Sequence, residues 1–107
     1  MDIGAVLIEL KENRLDDVAV WQAEINARKQ EAIETLKAER VFIESWFQLK
    51  LEGKDYLIAY MRADDIHYAQ QVGKSSQFPI DQIHKAFKQN WARVIPAQIL
   101  VDLENTD

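Results

Sequence analysis

Over residues 41–51 the chain alternates strictly. Val41, Ile43, Ser45, Phe47, Leu49 and Leu51 fall on one side of an extended strand, and Phe42, Glu44, Trp46, Gln48 and Lys50 on the other. Residues 55–62 read as the returning strand, with Leu57, Ala59 and Met61 opposed to Tyr56, Ile58, Tyr60 and Arg62. Gly53 marks the turn between them. A three-residue loop, Leu51-Glu52-Gly53, is the expected connection. It pairs Lys50 with Lys54, sets Glu44 opposite Tyr60, and brings Arg62 within diagonal reach of Glu44. It is preferred because it gathers Phe47, Leu49, Leu57, Ala59 and Met61 on one oily face. A two-residue loop would move Tyr60 to the face of Ser45 and Phe47, since a one-residue slip exchanges every side chain's face.

The other elements follow from their own periods. Residues 5–11 (AVLIELK) suit a central strand, with Val6, Ile8 and Leu10 pointing one way and Ala5, Leu7 and Glu9 the other. Asn13 is a candidate helix cap, and no Gly or Pro interrupts residues 15–39, where Leu15, Val18, Ile25, Ala32 and Leu36 recur at helical spacing. Glu24 and Arg28 lie four apart on the polar side of that helix. Asp64 or Asp65 caps a second helix over residues 66–72, which Gly73 ends. Pro79 opens a third, whose stripe of Ile80, Ile83 and Phe87 continues to Trp91. Residues 97–104 read as the last strand, with Ile99, Val101 and Leu103 opposite Gln98, Leu100 and Asp102.

Strand, helix, two strands, a helix pair and a strand give the split βαβ pattern. The expected fold is α+β and ferredoxin-like, βαββαβ, in one domain over residues 1–107, with the first and third strands central in a four-stranded antiparallel sheet. Helices cover one face of such a sheet. On this register the other face carries Leu7, Glu9, Phe42, Glu44, Trp46, Tyr56, Ile58, Tyr60, Arg62, Leu100 and Asp102. That face is too apolar to leave in water, so a homodimer that packs two such faces together is expected.

Composition narrows the classes. At 48% apolar and 29% charged residues the chain has ordinary globular composition. Its net charge is −5, and its densest basic group, Lys85, Lys88 and Arg93, is too sparse to displace counterions from phosphates, so no nucleic-acid partner is expected. It has no cysteine, which removes disulfides and thiol chemistry. The run Ile3–Ile8 is too short for a signal peptide, and nothing approaches a membrane span, so the expectation is a cytoplasmic protein without a membrane partner.

Candidate chemistry concentrates on the hairpin. Glu9, Glu44, Trp46, Tyr60 and Arg62 form the expected ligand-binding set. Arg62 would hold an anionic group by its planar fork, Trp46 and Tyr60 would stack on a flat molecule, and Glu44 or Glu9 would serve as base where burial raises its pKa. The competing reading is a Glu44–Arg62 ion pair inside an interface, with the aromatics as packing. His84 flanks the apolar stripe of the third helix and is a third catalytic candidate beside Glu44 and Tyr60. His67 reads as a surface residue. Two histidines seventeen apart make no recognised metal motif, and no metal is expected. Ser75-Ser76 lacks a nucleophile elbow, and the three glycines are isolated, so no phosphate loop exists.

The segments ESWFQLKLEGKDYLIAYMRADD and FPIDQIHKAFKQNW, with the strand LIELK, resemble a small bacterial family of uncharacterised proteins within the dimeric α/β-barrel superfamily. The resemblance spans nearly the whole chain. It implies two ferredoxin-like subunits joined through their sheets around a central cavity, and it carries over no catalytic residue. The superfamily includes cofactor-free monooxygenases, haem-degrading oxygenases, polyketide cyclase-like enzymes and stress-response proteins. Its haem degraders combine a helix histidine with an asparagine and a tryptophan. Here Glu9 stands where the asparagine is wanted and Tyr60 where the tryptophan is, so no haem or other cofactor is expected. The expectation is a homodimer of unassigned function holding a small organic ligand in a cavity between the sheets. The alternatives are a cofactor-free monooxygenase- or isomerase-like enzyme and a purely structural or regulatory dimer.

Overall fold

In the computed structural model, which describes residues 1–105, the chain runs β1 (Asp2–Leu10), α1 (Leu15–Ala27), α2 (Lys29–Glu39), β2 (Val41–Leu51), β3 (Lys54–Ala63), α3 (Ile66–Ser75), α4 (Pro79–Phe87), a 3-10 turn (Lys88–Asn90) and β4 (Trp91–Pro96). The strands form one antiparallel sheet in the order β2-β3-β1-β4, so β1 and β3 are central, as expected of a ferredoxin-like α+β fold.

The alternation of β1 has the expected result. Ile8 and Leu10 are buried with Leu57 of β3 beneath Val18 and Trp21 of α1 and Phe87 of α4, and Val6, Ala59, Trp46 and Trp91 pack against that cluster. A second cluster joins Val41, Ala63 and Ala69, with Leu36, Met61 and Ile66 around it. Asp65 caps α3, its side chain accepting from the Tyr68 backbone N–H at 3.1 Å, and Pro79 begins α4.

The hairpin register differs from the expected one. Leu51 pairs with Lys54, Lys50 with Asp55, Ser45 with Tyr60 and Glu44 with Met61. The loop is therefore two residues, Glu52 and Gly53, both at positive φ (52° and 79°). Two successive positive φ values are what a type I′ turn needs, and that turn follows the right-handed twist of its strands. The pairing sets Glu44, Trp46 and Gln48 on the helix side with Leu57, Ala59 and Met61. Ser45, Phe47, Tyr60 and Arg62 go to the outer side. A left-handed glutamate is disfavoured where asparagine is tolerated. Glu52→Asn is thus expected to raise stability by about 0.5–1 kcal/mol in urea unfolding, and Gly53→Ala to lower it by at least about 1 kcal/mol.

Four further expectations change. The expected single helix over residues 15–39 breaks at Arg28, which caps both α1 and α2. Neither Gly nor Pro causes the break. It lets Val18 and Trp21 reach the first cluster while Leu36 reaches the second. Arg28 lies 3.8 Å from Glu24 but makes its close pair, at 2.7 Å, with Glu31. Asn13 precedes the cap and takes a positive φ, so the N-cap of α1 is Arg14, and α3 continues through Gly73 to Ser75. Finally, the last strand is Trp91–Pro96 rather than residues 97–104. Trp91 reaches the core from β4 because the helix has already ended at Phe87, whose carbonyl accepts from the Asn90 side chain at 3.0 Å. The Ala97 N–H still bonds the Ala5 carbonyl at 2.9 Å, and residues 98–104 have no strand partner.

Candidate functional site

A cavity of about 920 Å³ lies between the helices and the inner side of β2 and β3. Its apolar wall includes Trp21 and Ile25 of α1, Leu36 of α2, Trp46 and Met61 of the sheet, and Ile80 of α4. The break at Arg28 shapes it, since α1 and α2 diverge there and each supplies one side. A smaller hollow of about 400 Å³ shares Trp21, Ile25, Asn26 and Trp46 with it.

Three acids line the cavity, Glu39 from the end of α2, Glu44 from β2 and Asp81 from the first turn of α4, and Lys29, Lys74, Lys85 and Lys88 line it with them. Desolvation is the main reason the Glu39 carboxyl is raised to about 7, and the neighbouring charges of Asp81 and Glu44 add to it, while Lys88 opposes. The Glu44 carboxyl is raised for the same leading reason and by Asp81. A hydrogen bond from Trp46 and the charge of Lys88 hold it back. By surface area Glu44 counts as exposed, because water enters the cavity. Protein nevertheless surrounds it on most sides, and that loss of bulk solvent governs its proton affinity.

His84 closes the inner end of the cavity. Its Nδ1 accepts the Trp21 indole N–H at 3.2 Å. An indole nitrogen only donates, so the neutral ring carries its proton on Nε2. Burial, then the charge of Lys88, push the His84 pKa down to about 4, and the ring is neutral at pH 7. Trp46 meets the imidazole edge-on at 5.3 Å, and Trp21 lies 5.1 Å from Trp46 and stacks on Phe87 at 4.5 Å. The ring positions are therefore fixed by packing. Together the cavity offers a neutral N–H donor, an aromatic wall and one carboxyl, that of Glu39, which changes charge near neutrality.

Of the residues singled out from the sequence, Glu44, Trp46 and His84 share this cavity. Tyr60, Arg62 and Glu9 lie across the sheet from it. Arg62 donates to the Tyr60 hydroxyl and to Asp102 at 2.8 Å, so the expected Glu44–Arg62 pair does not form. Glu9 lies 3.2 Å from Arg93 and 3.9 Å from Lys54. The two-residue turn is the physical reason for this division. Glu39 and Asp81 were missed. Their signal was present, as Glu39 follows Leu36 by three positions and Asp81 precedes His84 by three, which puts each on the inward face of its helix. Among the described residues no group of three or more His, Cys, Asp or Glu side chains is arranged to hold a metal, and no helix is long and apolar enough to cross a membrane.

The model of a family of unknown function, DUF6176, matches residues 1–106. The chain belongs to that family. No curated protein matches this DUF6176 chain in sequence. Among solved structures it is similar to one described as the crystal structure of antibiotic biosynthesis monooxygenase, with a TM-score of 0.57 and 10% identity over 92% of this chain and 98% of that one. At that identity the likeness shows that the DUF6176 chain shares the fold.

Proposed function

We propose that this DUF6176 protein binds a small, flat organic molecule in the cavity between its sheet and its helices. The observation that carries the reading is the convergence of Glu44, Trp46 and His84, from β2 and α4, on one cavity that is open to water. Trp46 offers a stacking surface, His84 Nε2–H a donor for a carbonyl or phenolic oxygen, and Glu44 and Glu39 acceptors for an acidic proton. Because Trp21 and Trp46 line the cavity, their fluorescence reports occupancy. Titration with a panel of phenols, quinones and keto acids is expected to quench that emission, and the same compounds raise the melting temperature by mass action. His84→Phe weakens the response. A panel that moves neither signal sinks the proposal.

A second reading is favoured by the Glu39 carboxyl at about 7. A carboxyl poised there suits general acid–base work at neutral pH, so the bound molecule would undergo proton abstraction in a cofactor-free oxygenase- or isomerase-like reaction. The likeness to a structure described as a monooxygenase supports this reading at the level of fold. Turnover retained in Glu39→Gln and Glu44→Gln variants would remove it.

We also infer a homodimer. Ile43, Phe47 and Leu51 stand exposed on the outer face of β2, and a sheet face of that character is normally covered. Sedimentation that gives a monomer at micromolar concentration excludes it.

A further inference from the structure

The side of the cavity formed by α4 and the 3-10 turn that extends it is cationic. Asp81, His84, Lys85 and Lys88 recur at i, i+3, i+4 and i+7, one stripe of a helix, and all four line the space. Lys29 at the start of α2 and Lys74 in the last turn of α3 line it too. Four lysines against the three carboxyls of Glu39, Glu44 and Asp81 leave the cavity positive even with every carboxyl ionised, in a chain whose net charge is −5. With the Glu39 carboxyl raised to about 7, the excess is larger near neutrality.

The fold itself does not neutralise these lysines. Elsewhere cations meet acids closely: Arg28 with Glu31, Lys50 with Asp55 and Arg62 with Asp102, at 2.7–3.0 Å. Among the described residues none of the four cavity lysines pairs with a carboxylate. The acids beside them are engaged by neutral groups, Asp81 by the Ser76 hydroxyl and Glu44 by Trp46. Lys85 gives two of its three N–H donors to the carbonyls of Lys74 (3.0 Å) and Ser76 (3.3 Å), which fixes its Nζ and leaves one donor for a ligand. Lys88 lies over the Trp91 ring at 5.6 Å, and its charge is felt by His84, Glu39 and Glu44. A fixed ammonium and a second one turn further on thus stand on the same side as the His84 ring, facing the Trp46 wall.

We propose that the molecule bound in this cavity is an aromatic carboxylate, its carboxylate received by Lys85 and Lys88 and its ring laid on Trp46. The inference rests on the cavity reading above and names the charge class of the ligand. Lysine meets an anion as a point charge and needs no planar fork to do so. One negative charge matches the smallest excess the lining carries. A phosphate dianion would stand against Glu39, Glu44 and Asp81, and neither an arginine fork nor a glycine-rich loop lines the cavity to hold it.

The test is isothermal titration calorimetry of the full chain with 6-hydroxy-2-naphthoate and with 2-naphthol, which lacks only the carboxylate. The naphthoate is expected to bind at least about tenfold tighter, and that margin to narrow as salt rises from about 50 to about 500 mM, because salt screens the charges. Lys88→Gln, at an exposed position, is expected to weaken the naphthoate about fivefold and to leave naphthol unchanged, and Lys88→Arg to keep the tighter binding. Lys50→Gln removes the same charge from the hairpin, outside the cavity, and is expected to change neither. A Lys85→Gln/Lys88→Gln variant, its fold checked by circular dichroism, is expected to bind the two probes equally. Naphthol bound as tightly as the naphthoate, or a Lys88→Gln loss shared equally by both, overturns the carboxylate assignment and leaves the cavity reading standing. Tighter binding of 2-naphthyl phosphate than of the naphthoate overturns the choice of carboxylate over phosphate. Silence from all three probes overturns the assignment, and silence from the phenol, quinone and keto-acid panel as well overturns the cavity reading with it.

Discussion

Glu39→Gln is expected to be more stable than the unsubstituted protein above pH 7, by about 1–2 kcal/mol once solvent screening of this partly open group is allowed for. Glu39 is a carboxyl whose folded pKa is raised, from 4.5 to about 7, chiefly by desolvation and secondarily by Asp81 and Glu44. The folded chain therefore holds the proton longer than the unfolded chain does. Below pH 4.5 both states are protonated and the site is neutral in its effect. As pH rises from 4.5 to 7 the unfolded state ionises first, so stability falls across that window. Glutamine cannot ionise, so the loss vanishes. Glu44 acts in the same direction.

His84 has the opposite sign. Its folded pKa is depressed from 6.5 to about 4, mainly by burial and then by Lys88, so its contribution is complete above pH 6.5 and is lost as pH falls towards 4. The two slopes overlap and largely offset between pH 4.5 and 6.5. Urea unfolding across pH 4–8 is the measurement. Glu39→Gln should gain stability as pH rises through the overlap, whereas His84→Gln should lose it. Parallel profiles for the two variants would show that the carboxyl and the imidazole do not have these proton affinities. Glutamine at Glu39 also tests the cavity's chemistry, since a ligand delivering an acidic proton then loses its acceptor.

Trp21→Ala is the second large effect, an expected loss of about 3–5 kcal/mol in urea unfolding, a sizeable share of a small domain's total. Trp21 is buried, stacks on Phe87, meets Trp46 edge-on and donates to His84 Nδ1, so one truncation opens the first core cluster and one wall of the cavity together. Trp21→Phe separates these roles. It keeps a ring in place and removes the indole N–H, costing about 1 kcal/mol for the lost bond, and more if His84 Nδ1 is left without a donor. Imidazole nitrogen shifts read by NMR should then show the Nδ1–H tautomer gaining population. An unchanged tautomer would mean that Trp21 does not fix the ring.

The cavity was partly legible before the fold was seen. Glu44, Trp46 and His84 stood out because a charged or aromatic side chain on a patterned face is unusual, and they share one space. Tyr60, Arg62 and Glu9 stood out for the same reason and lie on the far side of the sheet. The two groups separate at one place, the Glu52-Gly53 turn. Hydrophobic pattern favoured the longer loop because Phe47, Leu49 and Leu57 make a good apolar face together. In the fold Phe47 is left exposed instead, and Trp46 takes the inner position beside Trp21. An expectation based on one strand pair cannot see that the helix layer has room for an indole there. The break at Arg28 was hidden for a related reason: residues 15–39 are locally good helix, and only the separation of two core clusters requires two helices.

The sequence by itself determined the element order, the central places of β1 and β3, the inward face of β1, a cap at Asp64 or Asp65 and the Pro79 start, because each depends on local periodicity or on one residue's backbone chemistry. The tertiary structure alone decided the hairpin register, the divided helix, the early last strand and the cavity they enclose. Those depend on which apolar surfaces meet across the core, and a local pattern is compatible with more than one such meeting.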